Sequence, residues 1–172
     1  MRINKNALYP NRVVKKEEKA MSLEYSQIKE KRAENEPMLE RRFTRFKYGF
    51  ALLQMKDEQR TFCNFEDSEK LLGKPLNRKD YQMVAAEELT KEKFDEIVRL
   101  NATGINGIYG VADYVFEAFN DSGKDIRDEN YYGTSASVSD IVLVKEDGKV
   151  TVLYVQHIGF KELTDFKLER GE

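Results

Sequence analysis

Tryptophan is missing from this 172-residue chain, and cysteine, histidine and proline are scarce: Cys63 and His157 stand alone, and there are three prolines. A single cysteine forms no intramolecular disulfide and builds no thiolate zinc cluster, so a reducing cytoplasm is the expected compartment. A single histidine excludes paired-imidazole acid–base chemistry. No run approaches the ~18 apolar residues of a membrane span, and the first residues lack the apolar core of a signal peptide. No membrane partner is expected. A dinucleotide fingerprint, a Walker loop and a PxxP tract are also missing from the sequence.

Charge is abundant. Charged residues make up 35% of the chain and nearly cancel to a net charge of −2. The balance is uneven along the sequence: residues 1–47 hold 13 basic and 7 acidic side chains, a net +6, which leaves −8 for the rest. Arg2, Lys5, Arg12, Lys15 and Lys16 lie in a first stretch of sixteen residues that has no carboxylate. Lys and Arg gain affinity for phosphates by releasing counterions, so this arm is the candidate nucleic-acid contact. Between Glu17 and Arg42 acidic and basic residues interleave, the usual pattern of a solvated helix face.

Hydrophobic periodicity predicts an α+β fold: a small antiparallel sheet with helices packed on it, preceded by a long charged N-terminal helix. Val14, Met21, Tyr25 and Ile28 recur on one face of that helix, which ends near Pro37, and the expected division is an arm and helix over 1–42 and an α+β domain over 43–172. The segments Arg45–Met55 and Asp80–Leu89 read as strands. A short helix between them is N-capped by Asp67 or Ser68 and stopped by Gly73, and Thr90 caps the next helix. The segment from Thr103 to Gly110 reads as a glycine-punctuated loop before a helix that carries Val111, Val115, Phe116 and Phe119 inward. Two β-branched runs close the chain, joined at Asp147-Gly148, a strong hairpin signal.

Candidate sites gather at the ends of that hairpin. His157 lies near the end of the last predicted strand and is either a general base or a hydrogen-bonded structural residue. Ser135, Ser137, Ser139 and Asp140 line the approach to the other strand, where they either bind phosphate or cap the incoming chain. Tyr109, Tyr114, Tyr131 and Tyr132 either stack on unpaired bases or fill the core. Asp113 and Glu117, four apart, either hold Mg²⁺ or form part of a solvated helix face.

Several segments together carry a family pattern: "FCNFEDSEKLLG", "KDYQMVAAEEL", "VFEAFN", "YYGTSASVSDIVLV" and "LYVQHIGFKEL". With them the chain resembles a YodL-like domain from about Phe43 to Phe166. Thr134 and Gln156 replace the histidine and aspartate usual in that pattern. The resemblance implies a protein of phages, plasmids or conjugative elements of Gram-positive bacteria, some of whose relatives inhibit the RNA-guided nuclease Cas9. On that reading the partners are Cas9, guide RNA or both, in the cytoplasm of the bacterial host. Two mechanisms follow. One is a ribonuclease acting on guide RNA, with His157, Asp140, Ser139 and Tyr132 as acid, base or positioning groups and Mg²⁺ as a candidate cofactor, though no metal ligands are assigned. The other is occupation without catalysis, and a non-catalytic accessory module docking through the N-terminal helix is the alternative in a different class.

Overall fold

The computed structural model describes residues 24–101, 107–120 and 130–169, so the basic arm with Arg2, Lys5, Arg12, Lys15 and Lys16, together with Val14 and Met21, lies outside the described residues. The order of elements is α1 (Tyr25–Arg45), β1 (Gly49–Met55), α2 (Phe65–Leu72), β2 (Tyr81–Glu88), α3 (Lys91–Asn101), α4 (Gly107–Phe119), β3 (Ile141–Glu146), β4 (Lys149–Val155) and β5 (Phe160–Glu162). The five strands form one antiparallel sheet in the order β2-β1-β3-β4-β5. This is the expected α+β class.

Alternation along the strands assigns side chains to two cores. Phe50 and Leu52 of β1, Val142 and Val144 of β3, and Leu153 and Val155 of β4 point toward α3 and α4, where Phe94, Ile97, Val111, Val115 and Phe119 meet them. The alternate residues Ala51, Leu53, Ile141, Leu143, Val152 and Tyr154 face the other way, against Leu39 and Phe43 of α1. Because both faces are covered, the central strands carry apolar side chains on both sides rather than on one. Val84 is an extra residue in β2: Leu52 pairs with Ala85 but Leu53 with Met83, a β-bulge that bends this edge strand.

α1 differs from expectation in length. It runs through Pro37 to Arg45, so Arg45 and Phe46 belong to the helix and its C-cap rather than to a strand. Pro37 is tolerated because it and Ala33, whose carbonyl loses its i+4 partner, are on the water side, while Leu39 and Phe43 hold the helix to the sheet. The expected division at 42/43 therefore falls inside α1. Lys145 of β3 reaches across to donate to the carbonyls of Phe43 and Thr44 at 2.8 and 3.1 Å, supplying acceptor-end partners that a helix C-terminus lacks.

α4 begins at Gly107, inside the segment that reads as a loop. The glycine serves packing: a Cβ there would sit 2.5 Å from Val98 Cγ1, so its absence lets α4 approach α3. α2 starts after Asn64 rather than at Asp67 or Ser68, and Gly73, at φ 69°, ends it as expected. Thr90 Oγ1 accepts from Lys93 N at 3.1 Å, the expected cap of α3. β5 adds a fifth strand of three residues, too short to register as a periodic run.

Candidate functional site

The two ends of the final hairpin segment do meet. Ser139 N donates to Val155 O at 2.9 Å and Val155 N donates to Asp140 O at 2.8 Å, so the serine-rich turn enters the sheet where β4 leaves it. The turn is made by Ser139 in a left-handed conformation, φ 83°, and both Ser139 and Asp140 are fully buried, at 0% exposure.

Asp140 is held from three directions. Its Oδ2 accepts from Ser137 N and from Gln54 Nε2, each at 3.0 Å. Gln54, on the same side of β1 as Phe50 and Leu52, also donates to Thr134 O at 3.0 Å and accepts from Thr134 N at 2.9 Å, fastening the 134–140 segment over the strand. Arg60 Nη2 stands 3.6 Å from Asp140 Oδ1, an ion-pair separation beyond hydrogen-bond range, while its Nη1 donates to the Thr134 hydroxyl. Four buried polar atoms have no partner among the described residues: Gln59 Oε1, Arg60 Nε, Ser139 Oγ and Asp140 Oδ1. They sit on two consecutive pairs of residues that the Arg60–Asp140 contact brings together.

Burial dominates the electrostatics. It pushes the Asp140 carboxyl up to about 7, against the opposing pull of Ser137 N–H, the Gln54 amide and the Arg60 guanidinium. A second polar chain lies on the opposite side of the sheet. Tyr154 Oη is 2.7 Å from both Ser68 Oγ and Cys63 O, and burial raises its phenol to about 12. Tyr81 donates to Ser139 O at 2.9 Å, and burial, reinforced by Tyr154 and Asp140, raises its phenol well above the ordinary range. These phenols stay protonated and act as donors.

The other expected residues are placed separately. His157 lies beyond the end of β4 on an exposed turn, its N–H donating to Asn64 Oδ1 at 2.8 Å. Tyr132 lies near α1, where its carbonyl accepts from Arg32 Nε at 2.5 Å and Arg32 also pairs with Asp57 at 3.0 Å. Ser139 and Asp140 are thus together inside, His157 is outside on the loop after β4, and Tyr132 is beside α1. The Cys63 thiol donates to Thr61 O at 3.2 Å.

A divalent cation does not suit the Asp140 cluster, because its free carboxylate oxygen faces a guanidinium and its other oxygen already has two donors. Among the described residues no group of three or more His, Cys, Asp or Glu side chains is arranged to hold a metal ion. Burial, with the negative charge of Glu117 beside it, raises the Asp113 carboxyl. No described helix is long and apolar enough to cross a membrane.

Sequence reading singled out Asp140 and missed Gln54 and Arg60. Gln54 has a faint signal, as the one polar residue in the strand "GFALLQM", whose seven positions are all buried. Arg60 carries none, since its partners Thr134 and Asp140 are more than seventy positions away.

Comparison with curated proteins and with solved structures finds no match to either. A family model does match, over residues 49–166, from the first residue of β1 to beyond β5, leaving α1 outside. The chain belongs to the family of the YodL-like domain.

Proposed function

We propose that this YodL-like protein is a stoichiometric inhibitor encoded by a mobile genetic element, which binds the Cas9 and guide-RNA system and occupies it without cutting RNA. Complete burial of Ser139 and Asp140, with His157 outside on a separate loop, is the observation that carries occupation over cleavage. Acid–base hydrolysis of a phosphodiester needs its groups within reach of the same bond, and a carboxylate at 0% exposure reaches no backbone of RNA. The choice of target rests on kinship with mobile-element proteins. Charge agrees with it in two ways: the −8 outside residues 1–47 suits the basic nucleic-acid channel of a nuclease, and the basic arm suits guide RNA.

The accessory-module reading rests on Val14, Met21, Tyr25 and Ile28, of which Tyr25 is exposed on α1 while Val14 and Met21 lie outside the described residues. A gel assay of guide RNA, incubated with the protein and Cas9 in Mg²⁺ and in EDTA, separates the mechanisms. Intact RNA alongside blocked DNA cleavage is the expected result. Shortened RNA that persists in wild type and vanishes in His157→Ala would instead establish the ribonuclease, and unimpaired Cas9 would remove this target.

A further inference from the structure

Two of the four unpartnered buried atoms, Arg60 Nε and Asp140 Oδ1, belong to one pair of opposite charges. Arg60 Nη2 stands 3.6 Å from Asp140 Oδ1, short of a hydrogen bond. Nη2 and Nε form one edge of a guanidinium, an edge that can grip a carboxylate with two parallel N–H donors. Here Nη1 holds the Thr134 hydroxyl, while Nε and Oδ1 are left over on the two sides of the gap. The Arg60 and Asp140 side chains are only 9% and 0% exposed, so salt and water screen their attraction little.

The gap separates two stretches of chain. Arg60 belongs to the loop after β1, and Asp140 to the segment that enters β3. Asp140 Oδ2 is fixed by Ser137 N and Gln54 Nε2, so Arg60 is the partner with freedom to move. Its guanidinium lies 4.9 Å from the Phe62 ring centroid, and Phe62 sits at φ 54°, a strained position set by its surroundings. We propose that Arg60 and Asp140 form a proton-operated latch. With the carboxyl protonated the gap stands open, and with it ionised the guanidinium edge closes onto Oδ1 and draws the loop of Arg60 and Phe62 toward residues 134–140. Closure shortens the 3.6 Å separation to the about 2.8 Å of a charge-assisted hydrogen bond.

The other groups around Asp140 leave Arg60 as its one charged partner. Tyr81 of β2 and Tyr154 of β4 act on it electrostatically, but burial keeps both phenols protonated. Asp57, which also lies in the field of Arg60, is paired with Arg32 at 3.0 Å. Burial raises the carboxyl to about 7, so it is neutral below that pH and ionised above it, and the latch closes as pH rises. Order around Phe62 then increases over the same range in which ionising Asp140 costs the whole fold stability. Opposite signs distinguish a latch from general loosening. The latch goes beyond the binding reading above and does not depend on it.

The test follows the full-length protein by NMR from pH 5 to pH 8, reading the Asp140 carboxyl carbon and the Arg60 Nε–H together. The expected result is one shared midpoint, with the Nε–H moving downfield as pH rises. The wild-type comparison needs no substitution. Asp140→Asn should abolish the movement of the Nε–H, and His157→Ala, which removes the only histidine, should keep it. An Asp140 carbon that titrates while the Nε–H stays still would overturn the latch. So would a carbon that does not titrate in this range, or an Nε–H movement that survives Asp140→Asn or is lost in His157→Ala.

Discussion

The two ends of the sheet handle the same problem, a chain that must turn sharply between strands, in opposite ways. At the hairpin end, Asp147 at φ 48° and Gly148 at φ 80° take up the left-handed geometry, and both residue types bear it cheaply. Its ion pair, Lys47 with Asp147 at 3.4 Å, is solvent-exposed. At the other end left-handed positions fall on Ser139 and Phe62 as well as on Gly159, and charges are buried: Asp140 near Arg60, and Arg78 against Glu36 at 2.8 Å. One end is turned by local chemistry, with buried Lys145 tying it to the end of α1. The other depends on long-range polar contacts, each of which holds only while its partners are in place.

The sharpest way to break this contrast is to remove one buried partner. Arg78→Ala leaves the Glu36 carboxylate buried without its cation and strips the Tyr81 carbonyl of a donor. A loss of about 3–5 kcal/mol in urea unfolding is expected. Loss of less than 1 kcal/mol would mean that this end tolerates unpaired charge.

Asp140 gives the contrast a pH dependence. Its folded-state carboxyl is raised to about 7 from an ordinary 3.8, so folding favours the protonated form. The stability from this group is complete below about 3.8 and is lost as pH rises through about 7, by at most about 4 kcal/mol. Asp140→Asn keeps an acceptor for Ser137 N and removes the titration. Its melting temperature should gain on wild type between pH 5 and pH 8, whereas a constant difference would place the carboxyl's titration outside that window.

Strain can be exchanged between the ends on a smaller scale. Ser139→Gly relieves the positive φ and deletes a buried hydroxyl that has no partner among the described residues, for an expected gain of about 1 kcal/mol. Gly148→Ala puts a Cβ into open space but at φ 80°, for a loss of about 1 kcal/mol. Thermal unfolding of the two variants checks the opposite signs. The smallest effect belongs to Lys47→Ala, which should leave the unfolding midpoint unchanged because its ion pair is exposed.

The hairpin end was legible in the sequence because its causes are local: Asp147-Gly148 marks the turn and the flanking β-branched runs mark the strands. The Thr90 cap and the Gly73 stop were legible for the same reason. At the polar end, the serine-rich run and Asp140 stood out as a chemical constellation, but their burial did not, because it is imposed by Gln54 and Arg60 from distant parts of the chain. His157 reads in sequence as the continuation of a strand. The hydrogen bond from Gln156 N to Gly159 O ends that strand early and turns the histidine outward. Pro37 misled in the other direction, since a proline stops a helix only where its lost hydrogen bond cannot be left to water.

The proposed mode of action is occupation of the target without turnover. Titrating the protein into a fixed amount of Cas9–guide-RNA complex and following DNA cleavage tests this most directly. Activity should fall linearly and vanish near one equivalent. Complete inactivation by a small fraction of an equivalent, growing with incubation time, would contradict it and return Asp140, Ser139 and His157 to the position of a reaction centre.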